Sequence, residues 1–154
     1  MPYSEGCFVC GDRNPHGLRL RFRWDGAWVH TRLSVPEQFR GFTDRVHGGV
    51  VSALLDEVMG WATVREGGRF SYTGELRVRF RSPVPAGEEI VVRGRVVRHT
   101  RRLDFTEAEV RDGDDRLLAS ADGKFVLLDA DASRAVAATL IYTPDAWRPS
   151  GASL

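Results

Sequence analysis

His47-Gly48-Gly49-Val50-Val51-Ser52-Ala53-Leu54-Leu55-Asp56-Glu57-Val58-Met59-Gly60-Trp61-Ala62-Thr63-Val64-Arg65-Glu66-Gly67-Gly68 is the stretch whose reading decides the fold. Val50, Val51, Leu54, Leu55, Val58, Met59, Trp61 and Ala62 recur at helical spacing. At about 100° per residue they cover roughly half of the cylinder, an arc too wide for a helix resting on a surface. The spacing predicts a helix of about four to five turns lying in the concavity of a curved sheet. It should stop at Gly67-Gly68, where the left-handed conformation is accessible.

On either side of this helix the pattern changes to strands. Upstream, Leu18-Arg19-Leu20-Arg21-Phe22-Arg23-Trp24 alternates apolar and charged residues, the period of a half-buried strand. Asp25-Gly26 reads as a two-residue hairpin turn and 27–33 as the returning strand, followed by an irregular stretch from Pro36 to Val46. Downstream, Tyr72, Gly74, Leu76, Val78 and Phe80 fall on one face of a strand, Arg77, Arg79 and Arg81 on the other, and Pro83 ends it. Three further strands are expected over 89–98, 103–111 and 117–128, with turn residues at Pro85-Ala86-Gly87 and Asp112-Gly113-Asp114-Asp115. The fold class is therefore α+β, one long central helix wrapped by a curved antiparallel sheet of five to six strands. A single domain over 1–154 is expected, with an N-terminal C-x-x-C segment (1–17), a core (18–129) and a C-terminal extension or partly ordered tail (130–154).

Composition limits the partners. A chain of 154 residues has room for one core, and 42% hydrophobic with 28% charged residues is the balance of an ordinary globular domain. Twenty-one Arg and one Lys, Lys124, face 21 acidic residues, so the net charge is +1 and no domain-wide positive field attracts nucleic acid. No run of about 18 apolar residues occurs, and the start Met1-Pro2-Tyr3-Ser4-Glu5-Gly6 lacks a basic and apolar leader, so a cytoplasmic protein without a membrane partner is expected.

The strand order around the helix, His47-Gly48-Gly49, and Asp56 nine residues after the His together resemble a hotdog-fold acyl-CoA thioesterase of the PaaI-like group. The resemblance covers Cys7 to about Leu128. It points to the branch that carries an N-terminal Cys-x-x-Cys-Gly…Asn-Pro…Gly-Leu segment, here Cys7, Cys10, Gly11, Asn14, Pro15, Gly17 and Leu18. It implies hydrolysis of an acyl-CoA thioester to the free acid and CoA, with an acidic residue at the Asp56 position as the catalytic group and sites built between subunits. Relatives often carry Asn or Gln six or seven residues before the His. Arg40 and Gly41 stand there, and that departure is why a non-catalytic acyl or acyl-CoA binding module is the competing reading.

Thioester hydrolysis needs an attacking water or nucleophile, a base and an oxyanion donor. Glycines opening a helix leave backbone N–H groups free at the positive end of the helix dipole, which makes Gly48 the candidate oxyanion donor. Gly49 would allow close approach of the thioester, and His47 would shape the turn or add a polar contact. Asp56, about 60° outside the apolar arc, is the candidate base or nucleophile. Glu57, on a different face, is the weaker candidate. Gly48 and Asp56 are separated by roughly 12 Å along one helix, too far to act on one carbonyl, so a homodimer or a dimer of dimers is expected. In many relatives a Ser or Thr at the Thr73 position assists; a β-favoured residue is the plain alternative.

Arg40, Trp61, Arg98, Arg101 and Arg102 are candidate substrate contacts, the last three as a basic turn toward the CoA phosphates. His30 and His99 have no partner readable from spacing and are expected to be structural. Cys7 and Cys10 with His16 invite a zinc reading, but a closed structural site needs four ligands and Asp12 or a partner chain would have to add one. A redox motif lacks its βαβ context. No metal or other cofactor is expected, and the cysteine segment reads as a turn over the site or the dimer edge.

Overall fold

The structure, a computed structural model, describes residues 1–149. Helix α1 runs from Gly48 to Gly67 and buries Val51, Leu54, Leu55, Val58, Met59, Trp61, Ala62 and Val64, the wide apolar arc of the sequence. His47 caps its start, Nδ1 accepting the Gly49 N–H at 3.0 Å. Gly68, at φ 70°, ends it by donating its N–H to Val64 O at 3.0 Å. Glycine, with no Cβ, takes that left-handed angle without strain, so the chain can leave the helix there.

Six strands form one antiparallel sheet: β1 (Arg23–Trp24), β2 (Val29–Ser34), β3 (Ser71–Phe80), β4 (Glu89–His99), β5 (Leu103–Asp112) and β6 (Leu117–Leu127). Their spatial order is β1-β2-β4-β5-β6-β3. Helix α1 leaves the β2 side, packs across β4 and β5, and delivers the chain to β3 at the far edge. Val29, Ile90, Val92, Val110, Leu118 and Phe125 meet the helix in a core that excludes water. Each such side chain contributes about 1.5–3 kcal/mol by burial. Gly94 on β4 sets how near the helix lies, since a Cβ there would stand 3.0 Å from Val58 Cγ1 and 3.3 Å from the Met59 nitrogen.

Two expectations are corrected. The segment 18–22 alternates in burial, with Leu20 and Phe22 inside, but it is not a strand of the sheet. Arg19 sits at φ 53°, and Leu18 and Leu20 donate their N–H groups to Phe8 O and Val9 O, so the cysteine loop takes the hydrogen bonds a sheet neighbour would have taken. The hairpin between β1 and β2 has four loop residues, Asp25 to Trp28, with Asp25 Oδ1 accepting the Ala27 and Trp28 N–H groups. Within the C-terminal extension, Ala130–Ala138 form helix α2, capped by Asp129 and anchored where Ser133 Oγ accepts the Phe70 N–H. Six of its nine residues are apolar but five of those are alanine, so the pattern offered little contrast to read. Residues 150–154 of the expected tail lie outside the described residues.

Candidate active site

A bulge in β3 builds the first half of the site. The β3–β6 register shifts between Thr73 and Glu75, leaving Gly74 as the extra residue. Sequence parity therefore changes along the strand. Thr73 shares the helix side with Leu76 and Val78, whereas Tyr72, expected on the Leu76 face, is 58% exposed. Thr73 Oγ1 donates to Asp56 Oδ1 at 2.7 Å, and Ser71 Oγ lies 2.8 Å from Thr63 Oγ1. The Asp56 carboxylate, half-buried on α1, is thus held by a hydroxyl on the neighbouring strand. It opens into a cleft of about 250 Å³ that Glu57, Trp61, Ser71, Thr73, Cys7 and Cys10 also line.

Gly48 lies elsewhere. It borders a second cleft of about 370 Å³ with Arg45, Val51, Phe80 and Arg81. The His47 imidazole occupies the Gly49 N–H, and Val50 and Val51 donate to His47 O. That leaves the Gly48 N–H without a partner among the described residues, at the end of the helix where the dipole favours negative charge. His47 is the N-cap of α1, and the cap occupies its Nδ1.

The comparisons with known proteins agree with this architecture. The family model described as Thioesterase superfamily matches residues 44–119, from the loop before α1 to the start of β6. The chain belongs to the thioesterase superfamily. Among solved structures, a thioesterase superfamily protein is 27% identical with a TM-score of 0.75, over 79% of this chain and 63% of its own, so the chain spans less than two thirds of that relative. The PaaI protein of the E. coli phenylacetic acid degradation operon superposes with a TM-score of 0.65 at 18% identity, over 71% of this chain and 83% of PaaI. A Streptococcus mutans protein bound to acetyl CoA gives 0.66 at 16% identity, over 71% and 88%. At these identities the last two show a shared hotdog fold. No curated protein matches the sequence.

On this thioesterase fold the other candidates separate. Trp61 lines the Asp56 cleft and donates Nε1–H to Glu57 Oε1 at 3.1 Å. Arg40, Arg98, Arg101 and Arg102 line neither cleft: Arg40 is exposed and pairs with Glu37, Arg98 stacks over Phe105 at 3.6 Å, and Arg101 and Arg102 stand exposed in the β4–β5 turn. His99 has a partner after all, its Nδ1 lying 2.9 Å from Oδ1 of the fully buried Asp104 across the β4–β5 pair. Glu57 is not on a separate face, since it lines the same cleft as Asp56. Burial, with the Cys7 charge adding to it, pushes Glu57 up to about 7. Pairing with Cys10 draws the Cys7 thiol below its usual range, and the same pairing with burial pushes Cys10 above it. Cys7 and Glu57 are fifty residues apart, so spacing offered no signal for their meeting.

Proposed function

We propose that the protein hydrolyses acyl-CoA thioesters to the free acid and CoA, in sites assembled between two copies of the chain. The observation that carries this reading is the Asp56 carboxylate, held at 2.7 Å by Thr73 in a cleft that Gly48 does not reach. Eight residues of helix put about 12 Å between Gly48 and Asp56. An oxyanion donor and an attacking group must each lie within about 3 Å of one carbonyl. Antiparallel packing of two α1 helices would set Asp56 opposite Gly48 of the partner subunit, and two-fold symmetry would repeat the site.

In this arrangement Asp56 acts as base, taking a proton from water as its oxygen attacks the carbonyl carbon, or as nucleophile through an anhydride that water then opens. Thr73 orients the carboxylate. The Gly48 N–H stabilises the oxyanion, and the CoA thiolate leaves and takes up a proton. The unpaired backbone edge and exposed Tyr72 and Phe80 of β3 support a second copy pairing there, because a ten-residue open edge is a template for another strand. Acyl-CoA is preferred over other thioesters because the S. mutans relative carries acetyl CoA on this fold.

The test is release of free thiol from short, medium, long and aromatic acyl-CoAs. Asp56→Ala is expected to lower kcat by about 10²–10⁴-fold, the range for a positioned acid–base group, with Thr73→Val giving a smaller loss. Turnover unchanged by Asp56→Ala removes the mechanism, and saturable binding by the wild-type protein without thiol release favours a binding module.

A further inference from the structure

The cleft that holds Asp56 is lined by four groups that can become anions, Cys7, Cys10, Asp56 and Glu57, and by no Arg, Lys or His. Three of them converge: one ligand atom from each of Cys7, Cys10 and Glu57 lies within 4.8 Å of the others. We propose that Cys7, Cys10 and Glu57 bind a divalent cation of the zinc type, joining the N-terminal segment to helix α1 in the wall of this cleft.

The local geometry fits such an ion. Zinc–sulfur and zinc–oxygen bonds of about 2.3 and 2.1 Å at a tetrahedral angle place the two donor atoms about 3.6 Å apart. Cys7 Sγ lies 3.6 and 3.7 Å from the two Glu57 oxygens. A thiol–carboxylate hydrogen bond spans a similar distance, so the surroundings decide. The Val9 and Cys10 N–H groups both donate to Cys7 Sγ at 3.3 Å, which orients that sulfur and favours its thiolate form. A Cβ on Gly11 would collide with Cys7 O at 2.6 Å and Cys7 N at 2.6 Å, so the residue after the second cysteine must be glycine for the turn to close this tightly. Trp61 Nε1–H fixes Glu57 Oε1 as an outer partner fixes a ligating carboxylate.

Two soft thiolates and one carboxylate suit zinc better than calcium or magnesium, which take oxygen ligands. Three protein ligands leave a fourth position for water or a ligand atom. The other metal candidates do not join: Asp12 is engaged with Arg21, and His16 is exposed. The third ligand comes from the helix, fifty residues downstream of Cys7.

The experiment uses the full-length protein with its thiols reduced, stripped by chelator and titrated with Co²⁺ alone. One cobalt per chain is expected, with a sulfur-to-cobalt charge-transfer band, the visible bands of a four-coordinate site, and stoichiometric bleaching by Zn²⁺. Cys7→Ser and Cys10→Ser each halve the charge-transfer band or abolish it. Glu57→Gln keeps that band while shifting the visible bands and weakening binding. Trp61→Phe weakens binding about 10-fold, the size of an outer-partner effect. Circular dichroism of each variant separates loss of ligand from loss of fold, and wild type and Glu57→Gln alone suffice if the cysteine variants do not fold. No cobalt or zinc uptake by the wild type, uptake without charge transfer, or a cobalt spectrum and affinity unchanged by Glu57→Gln overturns the proposal. Because the readout is metal uptake, it stands or falls independently of thioester hydrolysis.

Discussion

Asp56 and Gly48 are proposed to act through different atoms and are tested differently. Gly48 is proposed to work through its N–H, so the informative change removes that hydrogen while keeping the start of the helix. Proline does this at the first helical position, where its missing donor costs no helical bond. His47, at φ −59° and ψ 134°, already has the extended backbone that a residue before proline requires. Gly48→Pro is therefore expected to keep the fold, read by circular dichroism, and to lower kcat about 10²–10³-fold, as loss of one oxyanion donor does. Full activity in a folded Gly48→Pro protein would assign the oxyanion elsewhere. At this scale the site was partly legible. The His-Gly-Gly opening and Asp56 are local patterns on one helix. The Thr73 contact depends on the bulge at Gly74, which no alternation of residues announces. Glu57 was undervalued because a helical wheel places a residue relative to its own helix and carries no information about a loop that folds back over it.

At the scale of elements, long periodic segments were readable, as α1 and β3 to β6 attest. Segments without such marks were not: 18–22 has a strand's burial but gives its hydrogen bonds to a loop, and α2 is built mostly of alanine, which contrasts little with its neighbours. Two features of the sheet make predictions. Gly94 lies under α1 with no room for a methyl group, so Gly94→Ala should cost about 1–3 kcal/mol by overpacking, read as a lower urea midpoint at unchanged m-value. The β4–β5 pair carries Glu109 between Arg111, at 2.7 Å, and Arg93, at 2.9 Å. The hydrogen bond from Arg111 is the main cause holding its carboxyl below the usual range, against some opposition from burial. The unfolded chain, with a value of about 4.3, then binds more protons than the folded one as the pH falls through that region. The stabilisation is complete above the unfolded value and is lost as pH drops toward the lower folded one. Glu109→Gln should be less stable at neutral pH and should show a flatter decline in melting temperature below about pH 4.

For the whole molecule, the length that sufficed for one hydrophobic core would not, on the proposed mechanism, suffice for one site. Each chain carries a carboxylate cleft and, separately, a helix N-terminus whose Gly48 N–H has no partner among the described residues, and in the proposed dimer the two would serve different carbonyls. Genetics can read that separation. Asp56→Ala and Gly48→Pro are each inactive alone, yet a mixed dimer of the two holds one site with both defects and one with neither. Random pairing makes half of the dimers mixed, so co-expression of the two alleles should restore about one quarter of wild-type thiol release, while mixing either allele with itself restores none. Intragenic complementation of this kind is possible only when a catalytic unit belongs to no single polypeptide.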